Sequence, residues 1–149
     1  MSKIISRTVE LNCTRQKAFE MFTKNQLLEK WLCDRADVEV VVGGRYELFW
    51  NPPPENAGTV GCGITAMEKD KFLAFNWKGP NMFDSFMNRI DPLTHVVVFF
   101  SAKRDGACTD VHLIHSGWGT SQEWDEAREW FEKAWGGALQ TLQKYLEAE

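Results

Sequence analysis

The sequence is short of the residue patterns on which metal sites, membrane spans and nucleic-acid interfaces are built. Histidine occurs three times and cysteine four times, at positions 13, 33, 62 and 108, with no C-x-x-C pair and no histidine at finger spacing. Zinc is therefore not expected, nor any other metal or cofactor. No stretch approaches eighteen uninterrupted apolar residues, and Met1-Ser-Lys-Ile-Ile-Ser-Arg-Thr lacks the apolar run of a signal peptide. A reduced, cytoplasmic protein with free thiols is the expectation. Positive charge is scarce too: 17 Lys plus Arg against 21 Asp plus Glu leave a net charge of −4, no footprint for a phosphate backbone. G-x-S-x-G, H-E-x-x-H and P-loop patterns are missing, and the glycines at 58, 61 and 63 precede no helix start that would hold a phosphate.

What is present is an ordinary globular balance, 44% hydrophobic and 26% charged, with an unusual aromatic load of seven Trp and ten Phe against two Tyr. The 149 residues predict one domain, 1–149, long enough to bury a sizeable core. Ile4 to Leu11 nearly alternates and reads as a strand. Thr14 caps a short helix carrying Ala18, Phe19, Met21 and Phe22, and Asn25 caps a second carrying Leu27, Leu28, Trp31 and Leu32. Val38 to Val42, the Gly43-Gly44 turn and Arg45 to Trp50 read as a hairpin that Pro52, Pro53 and Pro54 end. Gly58 to Met67, Phe72 to Trp77, Thr94 to Lys103 and Thr109 to Ser116 read as further strands. Between the second and third of these, Lys78 to Pro92 is too apolar for a solvated loop and is expected to cover something.

The period then changes. Thr120-x-x-Glu123 fits a capping box, and Ala127, Phe131, Ala134, Trp135, Ala138, Leu142 and Tyr145 recur every three or four positions. From Ser121 to about Leu146 this predicts a helix about 40 Å long, enough to cross a whole sheet. Strand, two helices, six strands and a long helix make an α+β order.

Four segments carry a resemblance to a known family. They are Thr14-Arg-Gln-Lys-Ala-Phe-Glu-Met-Phe-Thr23 with Leu28 and Trp31, then Gly43-Gly44-Arg45-Tyr46, then Leu73-x-Phe75-x-Trp77, and His115-Ser-Gly117-Trp118 leading into Trp130 to Leu146. In order and spacing the chain resembles the homologues of the activator of heat-shock-protein-90 ATPase, members of the START-like, polyketide-cyclase-like helix-grip superfamily. The resemblance implies a curved antiparallel sheet of about six or seven strands wrapped around the long C-terminal helix, with a cavity between them. It also implies binding of a small, largely apolar molecule. The alternative is a co-chaperone-like interaction module with a chaperone or client protein as partner, and the third reading is a cyclase or hydrolase using the same cavity. The usual small residue plus proline at the first helix is replaced here by Thr14-Arg15.

Candidate lining residues for that cavity are Trp31, Trp50, Trp77, Phe100, His115, Trp118, Phe131 and Trp135, with Trp130 a further indole near the helix. An aromatic-rich solid core uses the same residues equally well, depending on whether Ala127, Ala134, Gly136, Gly137 and Ala138 close the packing or leave a void. Strand alternation puts His115 and His112 on opposite faces, so they share no ligand. His115 falls on the more apolar face, as a ligand-orienting or proton-shuttling group or as a hydrogen-bonded core histidine. Cys62 and Cys108 have no local base and read as inert thiols, and Asp84 and Asp91 read as loop charges near Arg89 and Arg45. Val97 and Phe99 leave the Thr94 to Lys103 strand without a polar side. With Ile114 they form either an exposed patch, suited to a homodimer, or a surface covered by a loop or the N-terminal segment.

Overall fold

Thr14 opens the first helix by accepting a hydrogen bond from the Lys17 backbone N–H through its hydroxyl at 3.2 Å, an N-cap that satisfies one of the donors a helix start leaves unpaired. The computed structural model describes residues 3–50 and 58–148, so the prolines at 52–54 lie outside the described residues. The elements are β1 (Ile5–Leu11), α1 (Arg15–Thr23), α2 (Asn25–Trp31), β2 (Arg35–Val38), β3 (Tyr46–Phe49), β4 (Ile64–Glu68), β5 (Phe72–Trp77), α3 (Asp84–Met87), β6 (Thr94–Lys103), β7 (Cys108–Ser116) and α4 (Gln122–Ala148). No helix among the described residues is long and apolar enough to cross a membrane.

Five strands form one antiparallel sheet in the order β1-β7-β6-β5-β4, and β2 and β3 form a second, two-stranded sheet. Backbone bonds from Tyr46 to Cys62, from Thr59 to Leu48 and from Ile64 to Gly44 stitch β3 to the segment before β4. The two sheets thus continue into one curved surface. Each strand turns alternate residues inward: Ile5 and Leu11 from β1, Leu73, Phe75 and Trp77 from β5, Val96, Val98 and Phe100 from β6, and Val111, Leu113 and His115 from β7 are all buried. Against that concave face lies α4, burying Trp124, Ala127, Phe131, Trp135, Leu139, Leu142 and Leu146 along one stripe.

Both outer strands have backbone groups engaged by side chains. On β2 the N–H groups of Ala36 and Val38 donate to Glu29 Oε2 at 3.0 Å and Asn25 Oδ1 at 2.9 Å. On β1 the Glu10 carbonyl accepts from Gln143 Nε2 at 3.0 Å. Such engagement blunts the edge-to-edge pairing that open strands invite.

Several boundaries differ from the sequence reading. Asn25 is the first residue of α2 and not its cap; Lys24 holds that position without a side-chain bond, because the Asn25 amide oxygen is taken by Val38. The α4 cap is Ser121, whose hydroxyl accepts from the Trp124 N–H at 3.4 Å, one residue beyond the Thr120 that the capping-box spacing selects. The hairpin strand is Arg35–Val38 and not Val38 to Val42. Val40, Val41 and Val42 stand exposed because the chain turns back on itself there, Val41 N to Glu39 O and Gly44 N to Val41 O, and the three valines enter no strand among the described residues. Similarly, β4 begins only at Ile64, since Gly58 and Gly61 take positive φ and interrupt the extension that Gly58 to Met67 suggests.

Candidate functional site

Between α4 and the curved sheet, toward the β3–β5 side, lies a cavity of about 360 Å³. One wall is α4, where Trp130, Phe131, Ala134, Trp135 and Ala138 lie on a common face; the opposite wall is Trp77 at the end of β5 with Lys78, Gly79 and Pro80. Trp50, Leu32 and Gly58 close the remaining side. Ala134 and Ala138 are four apart, so they stack on neighbouring turns and present methyl groups where larger side chains would fill the space.

The indoles set the chemistry of the walls. Trp50 donates its N–H to the Leu32 carbonyl at 2.7 Å, and Trp135 donates to His115 Nδ1 at 3.0 Å. Trp77 is 3% exposed and packs edge-on to Trp50 at 6.0 Å and tilted against Trp135 at 5.1 Å, yet its Nε1 is buried with no acceptor. An unmade bond of this kind costs about 1–3 kcal/mol. Trp130, 41% exposed, stands at the rim.

A cover crosses the α4 side. Residues Asn81–Phe83 form a single 3₁₀ turn leading into α3. Phe83 packs on Trp130 at 5.8 Å, and Phe86 packs edge-on to Trp124 at 5.0 Å. Asn88 clasps the base of this cover, accepting from the Gly79 N–H at 2.7 Å and donating to its carbonyl at 2.9 Å. A Cβ at Gly79 would lie 2.5 Å from Met87 Sδ, so a side chain there would require the buried Met87 side chain to move. Asp84 accepts from Asn88 and pairs with Arg89 at 2.8 Å; these bonds lower its pKa and leave an exposed ion pair at the surface, the loop charge expected from the sequence.

Of the eight lining residues expected from sequence, Trp50, Trp77, Phe131 and Trp135 face the cavity. The other four are placed elsewhere in the core. Trp31 packs on Phe22 and donates to the Met21 carbonyl at 2.9 Å. Phe100 packs edge-on to Phe19 and Phe22, beneath α1. Trp118 lies tilted against His115 at 4.4 Å and donates to its carbonyl at 2.9 Å. His115 is fully buried and both ring nitrogens are occupied, Nδ1 by Trp135 and Nε2 by the Thr94 hydroxyl at 3.0 Å. Burial, with a smaller contribution from His95, pushes its pKa down to about 3, so the ring is neutral around pH 7. Neither nitrogen is open to a substrate. The Cys33 and Cys62 thiols are pushed up to about 12, chiefly by burial, and are not nucleophiles near neutral pH.

Leu32, Lys78, Gly79 and Pro80 were not singled out from sequence as lining. Lys78, Gly79 and Pro80 follow the end of β5, where no periodicity assigns a face, and the one signal for them is the apolar character of the loop they introduce; Leu32 shares the apolar face of the second helix, and its period does not say what that face borders.

On the sheet's outer face, Phe99 is 41% exposed and flanked by Phe72 at 6.3 Å and His112 at 6.4 Å, with Val97 and Ile114 half-buried beside it.

No functionally curated protein matches the sequence. Solved structures do share the fold. A protein from Mesorhizobium loti superposes with a TM-score of 0.77 at 18% identity, covering 98% of both chains. The Aha1 dimer from Colwellia psychrerythraea gives 0.74 at 20% identity over 97% of this chain and 96% of that one. An HSP90 activator from Plasmodium falciparum gives 0.72 at 20% identity over the same shares. At these identities the likeness speaks for the helix-grip fold. The family of the Activator of Hsp90 ATPase homolog 1-like protein matches residues 12–147, and the chain belongs to that family.

Proposed function

We propose that the protein binds a small, largely apolar molecule in the cavity between α4 and the sheet. The observation that carries this reading is the cavity itself, about 360 Å³ walled by five aromatic side chains and two alanines. Protein interiors hold few voids larger than a water molecule, and a water occupies about 30 Å³ of the liquid, so a space of this size is an unusual feature to retain. It falls in the range of about 300–1,000 Å³ typical of small-molecule sites. Its walls offer water few partners, which favours an apolar occupant.

The test uses N-phenyl-1-naphthylamine, a neutral dye whose emission rises in apolar surroundings. It should bind the native protein and raise its melting temperature, because a ligand that binds only the folded state stabilises it. Ala138→Leu, which fills the space from the helix side, should abolish the response while leaving a cooperative melt. No binding, or binding indifferent to Ala138→Leu, overturns the reading. His115, neutral and fully hydrogen-bonded, gives no support to a cyclase or hydrolase in this space.

A second reading, a protein-interaction module, is favoured by the family and by the outer sheet face. The surface assigned to it is Val97, Phe99 and Ile114, and the partner a second copy of the chain, as the Colwellia relative forms a dimer. The blunted edges of β1 and β2 direct such pairing to the face of the sheet.

A further inference from the structure

We infer that the molecule held in the cavity is an uncharged, planar, fused-ring aromatic that carries no hydrogen-bonding group on the part that lies inside. This rests on the cavity reading above and adds the chemical class of the ligand.

The polar groups of the walls are engaged, sealed or turned away. Trp50 and Trp135 donate their indole N–H groups to Leu32 and His115, and the Trp77 Nε1 is closed off within the wall. Asn88 takes both the N–H and the carbonyl of Gly79, and the Pro80 carbonyl accepts from the Phe83 N–H at 2.9 Å. Lys78 borders the cavity, but its ammonium lies 3.6 Å from where a Gly61 Cβ would stand, beside the Glu47 carboxylate that accepts the Gly61 N–H, and Gly61 is not part of the wall. A polar group carried inside would lose its water and gain no partner. An ion would fare worse, since no carboxylate stands among the described lining residues to receive a cation and no open donor to receive an anion.

The rings supply the second, independent feature. Trp77 meets Trp50 with 72° between their planes and Trp135 with 49°, so the walls carry rings at several inclinations. A flat aromatic ligand can then pack face-on to one ring and edge-on to another, arrangements that gain beyond the area they bury. A saturated molecule of the same size forgoes that gain, and a flexible chain also gives up torsional freedom on binding. Volume sets the size. A cavity of about 150 Å³ lined by apolar side chains holds benzene, so one of about 360 Å³ suits about two fused rings with room toward a third.

The experiment measures three competitors for displacement of N-phenyl-1-naphthylamine from the native protein: naphthalene, trans-decalin and 2,6-naphthalenediol. Naphthalene should bind at least about threefold tighter than trans-decalin, its saturated counterpart, although decalin is the less soluble in water. The diol has a hydroxyl at each end and cannot enter without burying one, so it should bind at least about tenfold more weakly than naphthalene. Decalin within threefold of naphthalene, or tighter, overturns the aromatic class. A diol within tenfold of naphthalene, or tighter, overturns the statement that the walls hold no open polar group. Naphthalene that fails to displace a dye which itself binds overturns the inference as a whole. Each of these results leaves the cavity reading in place, because the dye still occupies the site. If neither naphthalene nor the dye binds, the cavity reading falls, and the inference with it.

Discussion

The Trp135 indole donates to His115 Nδ1 at 3.0 Å, joining the middle of α4 to the end of β7 through a single buried bond. The bond fixes the histidine tautomer: Nδ1 is the acceptor, so the ring proton sits on Nε2 and is donated to the Thr94 hydroxyl at 3.0 Å. Aromatic rings crowd this histidine, with Trp118 at 4.4 Å and Phe131 at 5.5 Å. A second proton on the ring would displace the Trp135 bond and place a charge among them.

Stability should therefore fall in mild acid. The folded ring resists protonation down to about pH 3, whereas in the unfolded chain it takes a proton near its ordinary value of 6.5. Between those values the unfolded state binds more protons, so the contribution is fully present above about 6.5 and is lost as pH falls toward 3. From pH 7 to pH 5 this one group should cost about 2 kcal/mol. Denaturant unfolding at the two pH values measures it. The His115→Gln variant should start less stable and lose about that much less over the same interval; an equal loss would refute the assignment.

How much of this was legible follows from where the residues sit. The α4 stripe from Ala127 to Leu142 could be read because a long helix repeats its face many times, and β6 and β7 because β-branched residues alternate over whole strands. Which residues border a void is another matter. Val96 and Phe100 share a face of β6, yet Phe100 ends beneath α1, packed on Phe19 and Phe22, far along the sheet from Trp77. Periodicity assigns a face and says nothing of position along it. Val40 to Val42 misled for a related reason, since strand propensity describes fit to a pleated neighbour and those residues have none. Lys78 belongs to no periodic element at all.

Gly136 and Gly137, adjacent in the middle of α4, should respond differently to alanine. Nothing lies within 4 Å of where a Gly137 Cβ would stand. Gly137→Ala should stabilise the protein by about 0.5–1 kcal/mol through helix propensity alone, a rise of roughly 2–4 °C in melting temperature. A Gly136 Cβ would meet the Arg7 guanidinium at 3.2 Å, where Arg7 donates to the Glu132 carbonyl at 2.8 Å. Gly136→Ala should gain less, or lose. Equal gains at the two sites would show that the Arg7 crossing imposes nothing on the helix.

Phe99→Glu tests the interaction reading. With Phe99 41% exposed, the substitution disturbs little of the core, so melting should stay cooperative. If two copies pair through Val97, Phe99 and Ile114, a buried glutamate on each side of a symmetric interface would leave unpaired charge, and light scattering should report a monomer where the native protein is a dimer. A native protein that is monomeric at high concentration removes the surface from consideration.

The last expectation separates core from cavity along α4 itself. Leu142 is fully buried, and Leu142→Ala should cost about 2–5 kcal/mol, as truncations in closed packing do. Trp135, seven positions earlier on the same stripe, has protein on one side and the cavity on the other. Trp135→Phe keeps an aromatic ring but removes the indole N–H, leaving His115 Nδ1 without its donor. The cost should be about 1–3 kcal/mol, that of a buried acceptor left unpaired. Because the lost bond was made to the neutral ring, its removal should also raise the His115 pKa and flatten the decline in stability below about pH 5, where the folded ring then begins to take up its proton. At the same time the cavity enlarges, so the affinity for N-phenyl-1-naphthylamine should change. Leu142→Ala should leave both the pH dependence and the dye affinity as they were. If Trp135→Phe behaves like Leu142→Ala, destabilising without touching either readout, then Trp135 is ordinary core and the wall of the cavity has been misplaced.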